Sequence, residues 1–165
     1  MSQTPTQNYT LHEPVADVAI AATPDAFVIR DRIRPGNGVK FGTVWHEFKN
    51  RFGEKIEPPR AGFMMLKFKL LEIAPDEPII AELGGAARAE TTLSAAFGLM
   101  SRQAAGQLGI LQTNGHANIF YVSDQENELC AVRVSWSERG WEVGAIPARD
   151  PLAWNGQHQI FCPIA

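Results

Sequence analysis

Residues 117–147 restrict the fold more than any other stretch of the chain. The run 117–123 (ANIFYVS) leads into the polar segment Asp124-Gln125-Glu126-Asn127-Glu128. Residues 129–136 (LCAVRVSW) come next, then the link Ser-Glu-Arg-Gly, then residues 141–147 (WEVGAIP). Three short β-rich runs separated by turn residues predict an antiparallel meander. In the second run Cys130, Val132, Val134 and Trp136 share one face, and Arg133 and Ser135 the other. A four-residue link places Trp136 opposite Trp141, with Val143 and Ala145 on the same face. That company predicts a cross-strand Trp pair inside the core.

The rest of the chain is punctuated less clearly. Residues 15–22 and 27–33 flank Thr23-Pro24-Asp25-Ala26, which predicts a hairpin or two neighbouring strands. In residues 41–52, Phe41, Val44, Trp45, Phe48 and Phe52 recur at helical spacing, so a helix with an aromatic stripe is expected. Residues 63–73 (FMMLKFKLLEI) fit either a strand or a helix; propensity favours the helix. Asp76 is placed to cap a short helix over 77–83 that ends at Gly84-Gly85. A long helix is expected over 86–106, then a turn at Asn114-Gly115, a loop over 150–156 and a last strand at Gln159–Pro163.

A chain of 165 residues fits one domain and can bury an adequate core without staples. We read residues 1–14 as a polar N-terminal arm and 15–165 as a single α+β domain. Its C-terminal antiparallel meander would pack against two or three helices. The opening residues hold no Lys or Arg and no apolar core, unlike a secretory signal. No apolar run is long enough to span a bilayer. Two cysteines, Cys130 and Cys162, form neither a CxxC pair nor a disulfide framework. The expectation is a cytoplasmic protein with reduced thiols and no membrane contact, although one Cys130–Cys162 bridge stays open.

Charge is divided along the chain. The net charge is −3, which argues against whole-surface binding of nucleic acid. Residues 30–69 carry +6, however, and residues 70–165 carry −6. Such a split suits a protein partner or self-association. On the basic side the candidate partner-binding residues are Arg30, Arg32, Arg34, Lys49 and Arg51. Trp154, beside Asn155-Gly156, is read as an exposed aromatic anchor, because Trp and Arg dominate interface hot spots.

Motifs for catalysis or cofactors are incomplete. His46-Glu47 lacks the second His of HExxH, since Asn50 stands there. Gly36–Thr43 lacks the Lys that a phosphate loop needs directly before Ser or Thr. The carboxylates Asp76-Glu77 and Asp124/Glu126/Glu128 fall in predicted caps or turns. No cofactor, metal ligand set or catalytic residue is assigned. The sequence thus reads as a small binding or regulatory protein acting through protein–protein contacts rather than as an enzyme. Two alternatives remain. One is nucleic-acid binding through residues 30–69. The other is a cysteine-dependent enzyme using Cys130 or Cys162 with a nearby His, such as His116 or His158.

Overall fold

The computed structural model describes residues 9–164. In chain order the elements are β1 (His12–Ile20), β2 (Phe27–Val28), α1 (Ile29–Arg32), β3 (Phe41–Val44) and α2 (His46–Phe52). Next come β4 (Ile56–Glu57), β5 (Phe63–Leu70), β6 (Ala74–Pro75), α3 (Asp76–Glu82), α4 (Ala86–Ala89) and α5 (Leu93–Arg102). The chain then forms β7 (Asn118–Ser123), β8 (Leu129–Ser137), β9 (Gly140–Pro147), β10 (Ala153–Trp154) and β11 (Gln159–Pro163). β1 begins inside the segment read as an arm, and residues 1–8 lie outside the described residues. No helix among the described residues is long and apolar enough to cross a membrane.

Seven strands form one mixed sheet in the order β1-β5-β11-β7-β8-β9-β3. The meander is present: β7 and β9 both pair antiparallel with β8, and Trp136 faces Trp141. Their rings meet edge to face at 5.3 Å, with Trp141 buried, and the Trp141 indole N–H donates to the Gln103 carbonyl at 2.7 Å. The sheet as a whole is not purely antiparallel. β11 runs parallel to β7, and β3 runs parallel to β9. Both strands belong to segments distant in sequence from their partners, so no local turn dictates their direction.

Apolar residues cover both faces of this sheet. One core joins Phe48 and Phe52 of α2 and Leu93, Phe97 and Met100 of α5 to Val132, Val134 and Val143. The other joins Ile79, Ile80 and Ala89 of α3 and α4 to Phe68, Ile119, Tyr121 and Ile160. Two faces in use explain why β5 is a strand and not the expected helix. It lies between β1 and β11, with Met65 in one core and Phe68 and Leu70 in the other. Packing on both sides overrides the helical propensity of Met, Leu and Lys.

Three other expectations are corrected. Residues 41–44 are the strand β3, so the aromatic stripe is helical only from His46 onwards. Trp45 N–H donates to the Val143 carbonyl at 2.8 Å, prolonging the strand pairing past Val44. β1 pairs with β5 instead of forming a hairpin with residues 27–33, where only Phe27–Val28 is a strand and Ile29–Arg32 is a helical turn. The helix expected over 86–106 is two helices. Between them Thr91 N–H donates to the Tyr121 carbonyl at 2.7 Å, and Thr92 caps α5 by accepting the Ala95 N–H at 3.2 Å. Glu57 completes that helix start, its carboxylate taking the N–H groups of Leu93 and Ser94, each at 2.8 Å.

Candidate functional site

The sheet face that carries α3 and α4 is left open over β8 and β9. There a groove of about 540 Å³ is floored by Ala131, Arg133, Gly144 and Ile146. β-strand alternation puts these residues on the face opposite Val132, Val134 and Val143, which fill the core below. Trp45 and Glu47, from the β3–α2 junction, border the groove, as do Asp150, Leu152 and Trp154 from the segment around β10. Trp45 is 44% exposed. Gly144 lies opposite Arg133 in the ladder. A Cβ at position 144 would lie 3.2 Å from Trp45 Cδ1 and 3.6 Å from Arg133 Nη2. The missing side chain therefore keeps the floor low between the indole and the guanidinium.

Arg133 is half-buried and has neither an ion pair nor a hydrogen bond among the described residues. A guanidinium offers five donors and cannot neutralise itself by losing a proton. Its placement in mid-strand on a groove floor leaves those donors for an incoming anion. Its charge also reaches His158. Burial, then His116, then Arg133 lower the pKa of that imidazole. His158 Nδ1 accepts the Ala117 N–H at 2.8 Å, so the proton of the neutral ring sits on Nε2.

Trp154 ties the groove to a buried carboxylate. Its indole N–H donates to Asp76 Oδ1 at 2.7 Å, and the Tyr121 hydroxyl donates to the same oxygen at 2.7 Å. Asp76 is fully buried, and its second oxygen, Oδ2, has no hydrogen-bond partner among the described residues. Burial pushes this carboxyl up to about 6, against the opposing pull of Tyr121 and Trp154. Asp76 does not cap α3 with its side chain as expected; it turns inward at the first helical position, and Pro75 precedes it.

The residues expected to bind a partner are dispersed. Trp154 is 5% exposed, so it is a groove-lining core residue and not an exposed anchor. The Asp76 carboxylate and the pairing of Trp154 with Ala74 draw it inward. Arg51 is held by Glu47 at 2.7 Å, Asp124 at 3.0 Å and Glu128 at 3.5 Å, which ties α2 to the β7–β8 turn. Arg34 is exposed and pairs with Asp31 at 3.2 Å. Arg30 and Lys49 are exposed, and Arg32 lies over the Phe27 ring at 5.1 Å. None of Arg30, Arg32, Arg34 or Lys49 lines the groove.

Both thiols are free and buried, in opposite cores. Burial and the neighbouring Asp124 push Cys130 up to about 12, and burial pushes Cys162 up to about 11. Cys130 Sγ contacts Asp124 Oδ2 and the Glu128 carbonyl, while His116 packs edge-on against His158 at 5.6 Å. No set of three or more His, Cys, Asp or Glu among the described residues is arranged to hold a metal ion.

Sequence reasoning overlooked Arg133, Trp45, Gly144 and the Asp76–Tyr121 pair. Arg133 did leave a signal, as the only charged residue in LCAVRVSW. The others become neighbours only through long-range pairing. Compared with protein-family models, curated proteins and solved structures, the chain finds no match.

Proposed function

We propose that this chain is a binding protein whose ligand is a small monoanion with a flat apolar body, seated in the groove between Trp45 and Trp154. The observation that carries this reading is Arg133: a half-buried guanidinium on a concave floor, with no counter-ion among the described residues. The cavity of about 540 Å³ falls within the range of small-molecule sites, roughly 300–1,000 Å³. Trp45 offers an indole to the ligand body, and Arg133 takes its carboxylate. Glu47 and Asp150 also line the groove, and their charge disfavours a polyanion such as a nucleic-acid backbone. A peptide's terminal carboxylate beside an aromatic side chain satisfies the same requirements, which leaves room for a protein partner.

The test is titration with aryl carboxylates such as indole-3-acetate and 2-naphthoate, each against its neutral amide, followed by Trp fluorescence. The carboxylate should bind and the amide should not. Arg133→Gln should weaken binding about 10- to 100-fold, as expected for a lost charged hydrogen bond of about 1.5–3 kcal/mol. Equal binding of acid and amide, or no change in Arg133→Gln, would refute the reading.

A further inference from the structure

We infer that the molecule carries a second, separate site, which binds a compact oxyanion of the phosphate type between Arg32 and Arg102. A cavity of about 180 Å³ opens where α5 meets the end of β1 and the segment leading to β2. It exceeds the roughly 150 Å³ that suffices to hold a benzene ring in an engineered core.

Four features define its chemistry. Arg32 and Arg102 both line the cavity, and neither has a carboxylate partner among the described residues. Each is steadied in another way: Arg32 lies over the Phe27 ring, and Arg102 Nη2 donates to the Ala19 carbonyl at 3.0 Å. Those contacts use few of the N–H donors and leave the rest free. Thr23 also lines the cavity, and its buried hydroxyl oxygen has no hydrogen-bond partner among the described residues. Among the described residues no carboxylate lines the cavity. Finally, Gly98 of α5 borders the space, and a Cβ there would meet none of the described residues within 4 Å.

Two guanidiniums match the charge of a dianion, and planar donor forks suit a phosphate's oxygens. Apolar walls from Ile20, Phe27 and Phe97 leave the body of a small phosphate monoester in contact with carbon. The shared chemistry is the phosphate group, whether free or esterified.

The test is thermal unfolding of the full chain at constant ionic strength, with inorganic phosphate, propyl phosphate or chloride as the added anion. Phosphate should raise the midpoint in a saturable way at concentrations on the order of 10 mM or below. A larger shift with propyl phosphate identifies the ester as the better ligand; a smaller one identifies free phosphate. Arg32→Gln and Arg102→Gln should each weaken the effect at least about tenfold. Gly98→Leu, which keeps both charges and favours the helix, should block it. Arg133→Gln should leave it unchanged. The inference is overturned if phosphate stabilises no more than chloride does. It is also overturned if both arginine variants respond like the parent, or if Arg133→Gln removes the response.

Discussion

Replacing Asp76 by Asn isolates the energetic cost of the buried carboxylate behind Trp154. In the unfolded chain this carboxyl titrates near its ordinary value of 3.8, and in the fold burial raises it to about 6. Across that window the native state holds the proton more tightly than the unfolded state does. Stability therefore falls as pH rises from about 4 to about 6 and levels off above, where both states are ionised. A shift of about two units corresponds to about 3 kcal/mol, at 1.36 kcal/mol per unit. The variant keeps an oxygen to accept from Tyr121 and Trp154 and carries no charge at any pH. Its stability relative to the parent should rise by about 2 kcal/mol between pH 4 and pH 7, the remainder of the effect lying below pH 4. With a urea m-value of about 2 kcal/mol/M, the difference in midpoints changes by about 1 M. Urea unfolding followed by circular dichroism at several pH values reads this directly. Glu82 and Asp124, both held below their ordinary carboxyl values, are present in both proteins and cancel in the difference. If the two stability curves run parallel from pH 4 to pH 7, burial does not raise the Asp76 carboxyl.

Three further outcomes are expected. Arg51→Met should cost about 2–3 kcal/mol, because it strips the nearly buried Asp124 carboxylate of its cation. The Asp124 pKa lies below its ordinary value because hydrogen bonds from Glu128, Glu126 and Arg51 outweigh burial; its stabilisation is present at neutral pH and lost as acid protonates it. Acid unfolding of Arg51→Met should accordingly show a shallower loss over that range. Gly106→Ala should cost about 2–4 kcal/mol: its φ is +74°, and a Cβ there would lie 2.2 Å from the Trp136 ring. A cost under about 0.5 kcal/mol in thermal unfolding would show that the loop does not press on Trp136. Cys130 and Cys162 should resist iodoacetamide at neutral pH and react fully in urea. With thiols at about 12 and about 11, the thiolate is a minute fraction of each. Rapid native alkylation of either would return the cysteine-enzyme reading to consideration.

Much of the fold was legible wherever local chemistry and global packing agree. The meander follows from alternation and turn residues, and the Trp136–Trp141 pairing follows from the length of one link. The last strand, Gln159–Pro163, and the short helix before Gly84-Gly85 were also readable. Periodicity misled where tertiary contacts override it. Residues 41–44 mimic the stripe of a helix, yet pairing with β9 claims them as a strand. Residues 63–70 favour a helix by composition, yet burial on both faces makes them a strand. The helix expected over 86–106 breaks at two threonines because Thr91 bonds to the Tyr121 backbone and Thr92 caps α5.

The groove was hardly legible, for the same physical reason. Arg133 announces itself only as a charge in an apolar run; that it lies open depends on where the α3–α4 layer ends. Trp154, beside turn residues, reads as exposed, and a carboxylate 78 positions away in the chain holds it inside. The basic segment was visible as composition, but which of its cations stay free is decided by Asp31, Glu47, Asp124 and Glu128. By itself the sequence determined the meander, the placing of Trp136 opposite Trp141 and the apolar face of the second run, because these rest on spacing along one strand or one turn. The tertiary structure alone decided the parallel neighbours β3 and β11, the strand identity of β5 and both cavities. Each of those depends on which distant residue supplies the missing hydrogen bond, counter-ion or apolar wall.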